Sequence, residues 1–311
     1  MRQILEAFVI VTLGMGALLG VLAIAYRLTR FLPDKWQDGG RAWVFVFPAV
    51  FSMMVGLVWP LIKTTYDSFF NDTGDEFIGL QNYGDIWQNP DTRLTVFNTM
   101  VWVFLGTAVV VVIGLTVARF ADGMRGESVW KSAIFVPGAI SLVGSALIWR
   151  FVYDQDVGLL NAIAGSIPGL PASMGGDGDR LWLLERGFGG LEPPSTAPGF
   201  NTFLLVVIFI WVSSGLAVVV FSAAIKGVPD EILEAARVDG ATERQTFFRV
   251  TLPYIRGTVV VVSTLTAIGA LKAFDIVAVA TGGRFSTSTV ANEFYVTSFV
   301  QFRTGLAAAL A

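Results

Sequence analysis

Long apolar runs, each bounded by short polar stretches, recur along this chain of 311 residues. A helix needs about 20 mainly apolar residues to cross a bilayer core. By that measure the pattern predicts membrane helices at 4–28, 42–62, 94–118, 132–152, 202–225 and 257–281. A further small, apolar run begins near Gly305 and reads as a last helix cut short by the end of the chain at Ala311. Composition agrees: 54% of the residues are hydrophobic and 14% charged, which places the chain among all-α polytopic membrane proteins. Arg2 and the Ala23-Ile24-Ala25 stretch would also suit a cleaved signal peptide. The apolar run is longer than a usual signal core, however, and Glu6 interrupts the positive start, so a retained helix is expected.

Charge position orients these helices. Lys and Arg cluster in the first loop (Arg27, Arg30, Lys35, Arg41), the third (Arg119, Arg125, Lys131) and the fifth (Lys226, Arg237, Arg244, Arg249, Arg256). The second loop is acidic (Asp67, Asp72, Asp75, Glu76, Asp85, Asp91), and so is the fourth (Asp154, Asp156, Asp177, Asp179, Glu185, Glu192). The positive-inside rule then puts the odd loops in the cytoplasm and the N-terminus outside. Trp43, Trp59, Trp130 and Trp149 fall near predicted span ends, as interfacial aromatic belts do. Pro48, Pro60 and Pro137 lie in or beside spans, where membrane helices tolerate them.

The fifth loop, 226–256, is the most informative segment. Pro229 with Asp230 and Glu231 reads as a helix start, Asp239-Gly240 as a break, and Thr242 with Gln245 as a capping box that opens a second short helix. A helix-turn-helix bracket follows, with Ala235 and Ala236 leaving a shallow face and Phe247 and Phe248 as apolar anchors. Glu234, Ala235, Ala236, Asp239, Gly240, Ala241, Phe247, Leu252 and Pro253 resemble the EAA…DGA…F…LP coupling loop of bacterial ATP-driven importers. Gly79-Leu80-Gln81-Asn82-Tyr83, Gly158-Leu159-Leu160-Asn161, Leu271-Lys272-Ala273-Phe274-Asp275 and Thr281-Gly282-Gly283 resemble further motifs of the sugar-importing branch. The chain is thus similar to permease subunits of binding-protein-dependent ABC sugar importers of the maltose and α-glucoside type. That resemblance implies a six-helix type I importer core over 42–311, preceded by an extra helix and cytoplasmic linker over 1–41. It also implies a bacterial inner-membrane location and alternating access. The implied partners are a second permease subunit, two ATPase subunits that seat the bracket and bind ATP and Mg, and an extracytoplasmic sugar-binding protein.

With no Cys and no His, thiol or imidazole nucleophiles and metal sites are excluded. No GxxxxGK[ST] phosphate loop occurs, so this chain is expected to be non-catalytic, without a cofactor of its own. An ion-gradient-coupled secondary transporter is the competing class, with Lys272 and Asp275 as its coupling groups. Those two residues, at i and i+3, would equally form a salt bridge on one helix face. A membrane enzyme or a scaffold accounts for less of the chain, since neither explains the bracket. Resemblance places a sugar pathway on the spans flanking the bracket, where Phe209, Ser213, Thr266, Gly269, Lys272 and Asp275 are the candidates. Trp211, Ser214, Ser263 and Thr264 supply further flat faces and hydroxyls, although such hydroxyls also join membrane helices. The Gly- and Pro-rich stretch 162–200 is read either as a contact for the binding protein or as a solvated connector.

Overall fold

The computed structural model describes residues 2–31, 33–121, 124 and 126–311, leaving aside the side chains of residues 2–11 and 18. Arg125 and the side chains of Arg2 and Glu6 therefore lie outside the described residues. The chain is mostly helical and, among the described residues, has no strands beyond two isolated bridges. It divides into two compact units, 1–67 and 68–311.

The first unit holds helix α1 (Arg2–Leu28), a 3-10 turn (Thr29–Phe31) and helix α2 (Asp34–Asp67). Pro33 and Asp34 start α2 with a fixed φ and a negative first turn. The helix runs on through Pro48 and Pro60, with a π turn at Met54–Val58. Tyr26 packs on Phe45 at 5.8 Å, and Arg41 lies over the same ring while pairing with Asp38 at 3.3 Å. Helix α2 begins at Asp34 and runs across positions 41 and 42 without a break.

The second unit contains α3 (Gln81–Gln88), α4 (Pro90–Ala121), α5 (Glu127–Ala139), α6 (Leu142–Val152), α7 (Leu159–Gly165), α8 (Phe200–Lys226), α9 (Asp230–Val238), α10 (Glu243–Tyr254), α11 (Arg256–Leu271) and α12 (Asp275–Ala280). Helix α13 (Val290–Tyr295), extended by a π turn (Val296–Val300), and α14 (Thr304–Leu310) follow. Among the described residues, four helices suffice to cross a membrane by length and composition, or up to six if each bent pair counts as one span. The predicted span 94–118 matches α4, and 202–225 matches α8.

The predicted span 132–152 is not one straight helix: α5 and α6 meet at 101°. Pro137 lies just before the end of α5, Ile140 is extended, and Ser141 restarts the chain as a cap whose Oγ accepts from the Gly144 amide at 3.0 Å. The span 257–281 also breaks, with Lys272 ending α11 and Asp275 opening α12. The two residues therefore do not share a helix face, and no ion pair joins them among the described residues; Asp275 sits instead at a helix N-terminus, where negative charge is favoured. The carbonyl of Ala273, freed at this break, accepts from Thr289 Oγ1 at 2.6 Å.

Helix α8 is the axis of the second unit. A Cβ on Gly114 of α4 would stand 2.8 Å from the Cβ of Ala217 and 2.9 Å from the Phe221 ring. A Cβ on Gly215 would stand 2.6 Å from the carbonyl oxygen of Ile134 in α5. Glycine thus lets α4 and α5 approach α8 closely. Val110, Ala118, Ala217, Phe221 and Val262 form a buried cluster beside that contact.

The far end of the unit is held by asparagines. Asn82 donates to the carbonyls of Ser68 (2.9 Å) and Phe70 (2.8 Å). Asn98 donates to Ser286 (2.8 Å) and Ser288 (2.9 Å), and Asn201 to Phe285 (2.9 Å). Asn161 donates to the carbonyls of Gln155 and Arg180 and accepts from the Trp182 indole at 2.6 Å. Around it, residues 162–200 fold into a lobe. The buried Arg180 donates to the Ser173 and Gly187 carbonyls, pairs with Glu185 at 3.3 Å and lies over the rings of Trp182 and Phe188. The stretch thus has tertiary contacts of its own.

Gly114→Val is expected to force α4 from α8 and destabilise the protein by about 1–3 kcal/mol, read as a lower thermal midpoint in detergent. Arg180→Ala should open the lobe, detected as new protease cleavage between residues 162 and 200 while the helical circular dichroism signal is retained.

Candidate functional site

The bracket forms as its sequence dictates. Helix α9 ends with the Gly240 amide donating to the Arg237 carbonyl and the Ala241 amide to that of Ala236, both at 3.0 Å. This is a Schellman closure, and it needs the left-handed φ of 82° that Gly240 adopts. Thr242 then caps α10: its Oγ1 accepts from the Gln245 amide at 3.3 Å, while Gln245 Oε1 accepts from the Thr242 amide at 2.8 Å. A π turn at Phe247–Thr251 follows, and at Ile255 the chain bends 70° into α11.

Glu234, Ala235, Asp239, Gly240 and Pro253 are exposed, and Ala236 and Ala241 are half-buried. Ala235 and the carboxylate of Glu234 therefore stand exposed on α9, with Asp230 and Glu231 exposed in its first turn. Phe247 and Phe248 separate in role, their rings edge to face at 5.2 Å. Phe248 is exposed beneath the guanidinium of Arg244, whereas Phe247 turns inward to line a cleft of about 300 Å³ within the bracket, together with Arg119, Lys226, Arg237 and Glu243. Leu252 is half-buried beside an apolar groove that also includes Leu115 and Phe120 of α4.

Charged contacts gather the third and fifth loops at one end of the unit. Glu243 accepts from Arg119 at 2.9 Å and from Arg237 at 3.3 Å. Glu127, at the start of α5, accepts from Lys226 at 2.7 Å and also pairs with Lys131. These are two of the three loops in which Lys and Arg cluster along the sequence. Asp72 pairs with Arg303 at 2.7 Å near the opposite end of α4, where Asn98 holds the loop after α12.

Of the pathway candidates, the structure brings Phe209 and Gly269 together. Phe209 is buried with its ring 5.7 Å from that of Trp102, and it faces Gly106 of α4 and Gly269 of α11, where added Cβ atoms would lie 3.3 and 3.7 Å away. Phe209 thus packs three helices against one another. Ser213 and Thr266 are half-buried, Lys272 is exposed and Asp275 half-buried. The hydroxyls of Ser214, Ser263, Thr264 and Thr266 each donate to a carbonyl one turn earlier, at 2.6–2.8 Å. Such back-bonding is ordinary for Ser and Thr within helices. Trp211 meets Trp149 edge-on at 5.7 Å. Sequence reasoning missed Asn98, Asn201 and Glu243. A lone amide inside the apolar run of α4 was the available signal for the first.

A family model described as binding-protein-dependent transport system inner membrane component matches residues 2–311. An osmoprotective compounds uptake permease protein of Synechocystis sp. is 39% identical over 255 residues, 80% of this chain and 84% of the relative. An alpha-glucoside transport system permease protein of Rhizobium meliloti is 36% identical over 258 residues, 81% and 71% of the two chains. Among solved structures, a chain of a bacterial ABC transporter involved in import of the acidic polysaccharide alginate aligns with TM-score 0.71 at 19% identity, covering 89% of this chain and 92% of that one.

Gly240→Val would place a branched side chain in a left-handed turn, at a cost of roughly 1–2 kcal/mol. Thr242→Ala would remove a cap worth about 1 kcal/mol. Hydrogen exchange should quicken within 230–254 in both variants and stay unchanged in α8.

Proposed function

Because the chain belongs to the family of inner-membrane components of binding-protein-dependent transport systems, we propose that it is one permease subunit of an ATP-driven sugar importer, with α-glucosides as the substrate class. The observation that carries the coupling part of this reading is the bracket: two short helices closed by a Schellman turn and a capping box, with Glu234 and Ala235 exposed. A close-fitting protein surface with a basic residue for Glu234 suits that face, and we assign it to a cytoplasmic ATPase subunit. ATP and Mg belong to two such subunits; this chain is a non-catalytic pathway component of 42–311, with 1–41 an added helix and linker. The positive loops support a reading in which the bracket is cytoplasmic and the N-terminus outside.

The substrate class rests on the Rhizobium meliloti relative, and the osmoprotective-compound permease of Synechocystis sp. supplies the alternative substrate class. A second permease subunit and an extracytoplasmic binding protein complete the assembly; one similar solved transporter is in complex with a periplasmic protein bound to alginate pentasaccharide. The lobe at 162–200 is a folded surface suited to that binding protein. Within the membrane, Phe209, Ser213, Thr266 and Gly269 remain the proposed pathway positions, with Lys272 and Asp275 at its margin. ATP-driven approach of the two brackets would open the pathway outward, and hydrolysis would return it inward.

The test is the assembly reconstituted in vesicles with its ATPases and binding protein, supplied with maltose, trehalose, other α-glucosides and osmoprotective solutes. Uptake is expected to require ATP, to survive collapse of ion gradients and to favour α-glucosides. Uptake driven by an ion gradient without ATP would instead establish a secondary transporter. Glu234→Lys should lower uptake about tenfold with normal membrane insertion, and unchanged uptake would remove the bracket from the coupling route.

A further inference from the structure

Glu243 opens α10, yet its carboxylate reaches two other elements. Arg119 comes from the last turn of α4, 124 residues away in sequence, and Arg237 from the last turn of α9. All three side chains are largely open to solvent, with exposures of 39%, 57% and 63% for Arg119, Arg237 and Glu243. Exposed ion pairs add little to stability, so the value of this arrangement lies in geometry. Arg237–Glu243 holds the two arms of the bracket at a set angle across the Gly240 turn. Arg119–Glu243 fastens the bracket to α4, which packs on α8 through Gly114 with no room for even a methyl group. The contact therefore begins a continuous rigid route: bracket, α4, Gly114, α8.

We propose that Glu243 is the positioning residue that fixes the bracket to α4, so that a displacement of the bracket is passed through Arg119 into α4 and on to α8. This rests on the coupling role assigned above. It adds a charged connection to the covalent ones at Lys226–Pro229 and at the 70° bend about Ile255, and to the apolar groove that Phe247, Phe248 and Leu252 share with Leu115 and Phe120 of α4. Without the clasp, only the apolar groove still ties the bracket to α4, and such contacts lack the fixed direction of an ion pair, so α4 follows the bracket less closely. Arg237 serves the shape of the bracket, and Arg119 serves transmission.

The experiment uses the complete reconstituted importer and reads sugar moved per ATP hydrolysed. Glu243→Gln and Arg119→Gln are each expected to lower that ratio about tenfold, with the variants inserted and co-purifying with the ATPase at the unaltered level. The chain has no native cysteine, so an Arg119→Cys/Glu243→Cys pair bridged by a short bis-maleimide should restore the ratio that the unbridged pair loses. An unchanged ratio in Glu243→Gln would overturn the proposal while leaving the importer intact. Loss of ATPase association in Glu243→Gln would also overturn it, by making Glu243 part of the docking face. If the unaltered assembly shows no ATP-driven uptake, the functional reading itself falls, a result separate from either.

Discussion

Where an apolar chain breaks its helices, the freed backbone amides and carbonyls need partners that the surroundings do not supply. The second unit meets this constraint break by break. Ser141 caps the restart after α5, Thr289 takes the carbonyl of Ala273 between α11 and α12, and Asn98 and Asn201 hold the loop that follows. Asn98 and Asn201 lie far along the chain from the loop they hold, so these contacts also lock the helices to one another. The bends are thus the points at which the arrangement is made definite.

Close packing supplies the other half of the arrangement. Lipid gives little hydrophobic drive between helices, so contact depends on small residues that let backbones approach. Gly114 and Gly215 do this on two sides of α8, and Gly106 and Gly269 make room for Phe209. At such separations neighbouring helices shift together, which is why a polar clasp at one end of α4 bears on the helix behind it.

The short motifs were legible as signatures, while their physical work was not. Asn82 and Asn161 stand in motifs that resemble those of sugar importers, and the structure uses both to satisfy carbonyls in their own loops. Gly158 is required because a Cβ would fall 2.0 Å from the carbonyl oxygen of Asp154. The Leu271–Asp275 motif reads as a helix with a salt bridge but is a helix break. The i, i+3 rule holds only within an unbroken helix, and no single residue at 272–274 announces the interruption. The turn at Gly240 and the cap at Thr242, by contrast, were both readable, since their hydrogen bonds close within a few residues.

Local rules therefore carried the sequence a long way: the spans of α4 and α8, the helix-turn-helix bracket, the grouping of positive loops, and the absence of thiol and imidazole chemistry. All depend on composition or on interactions of short range. Tertiary structure alone decided which carboxylate Arg119 and Arg237 would share, that 162–200 would fold around Arg180 and Asn161, and that Phe209 would fill the space left by Gly106 and Gly269. Arg119–Glu243 and Asn161–Arg180 join residues 124 and 19 positions apart, and Phe209 meets glycines of two other helices. Their partners are chosen by the packing of whole helices, and no periodicity along the chain records that choice.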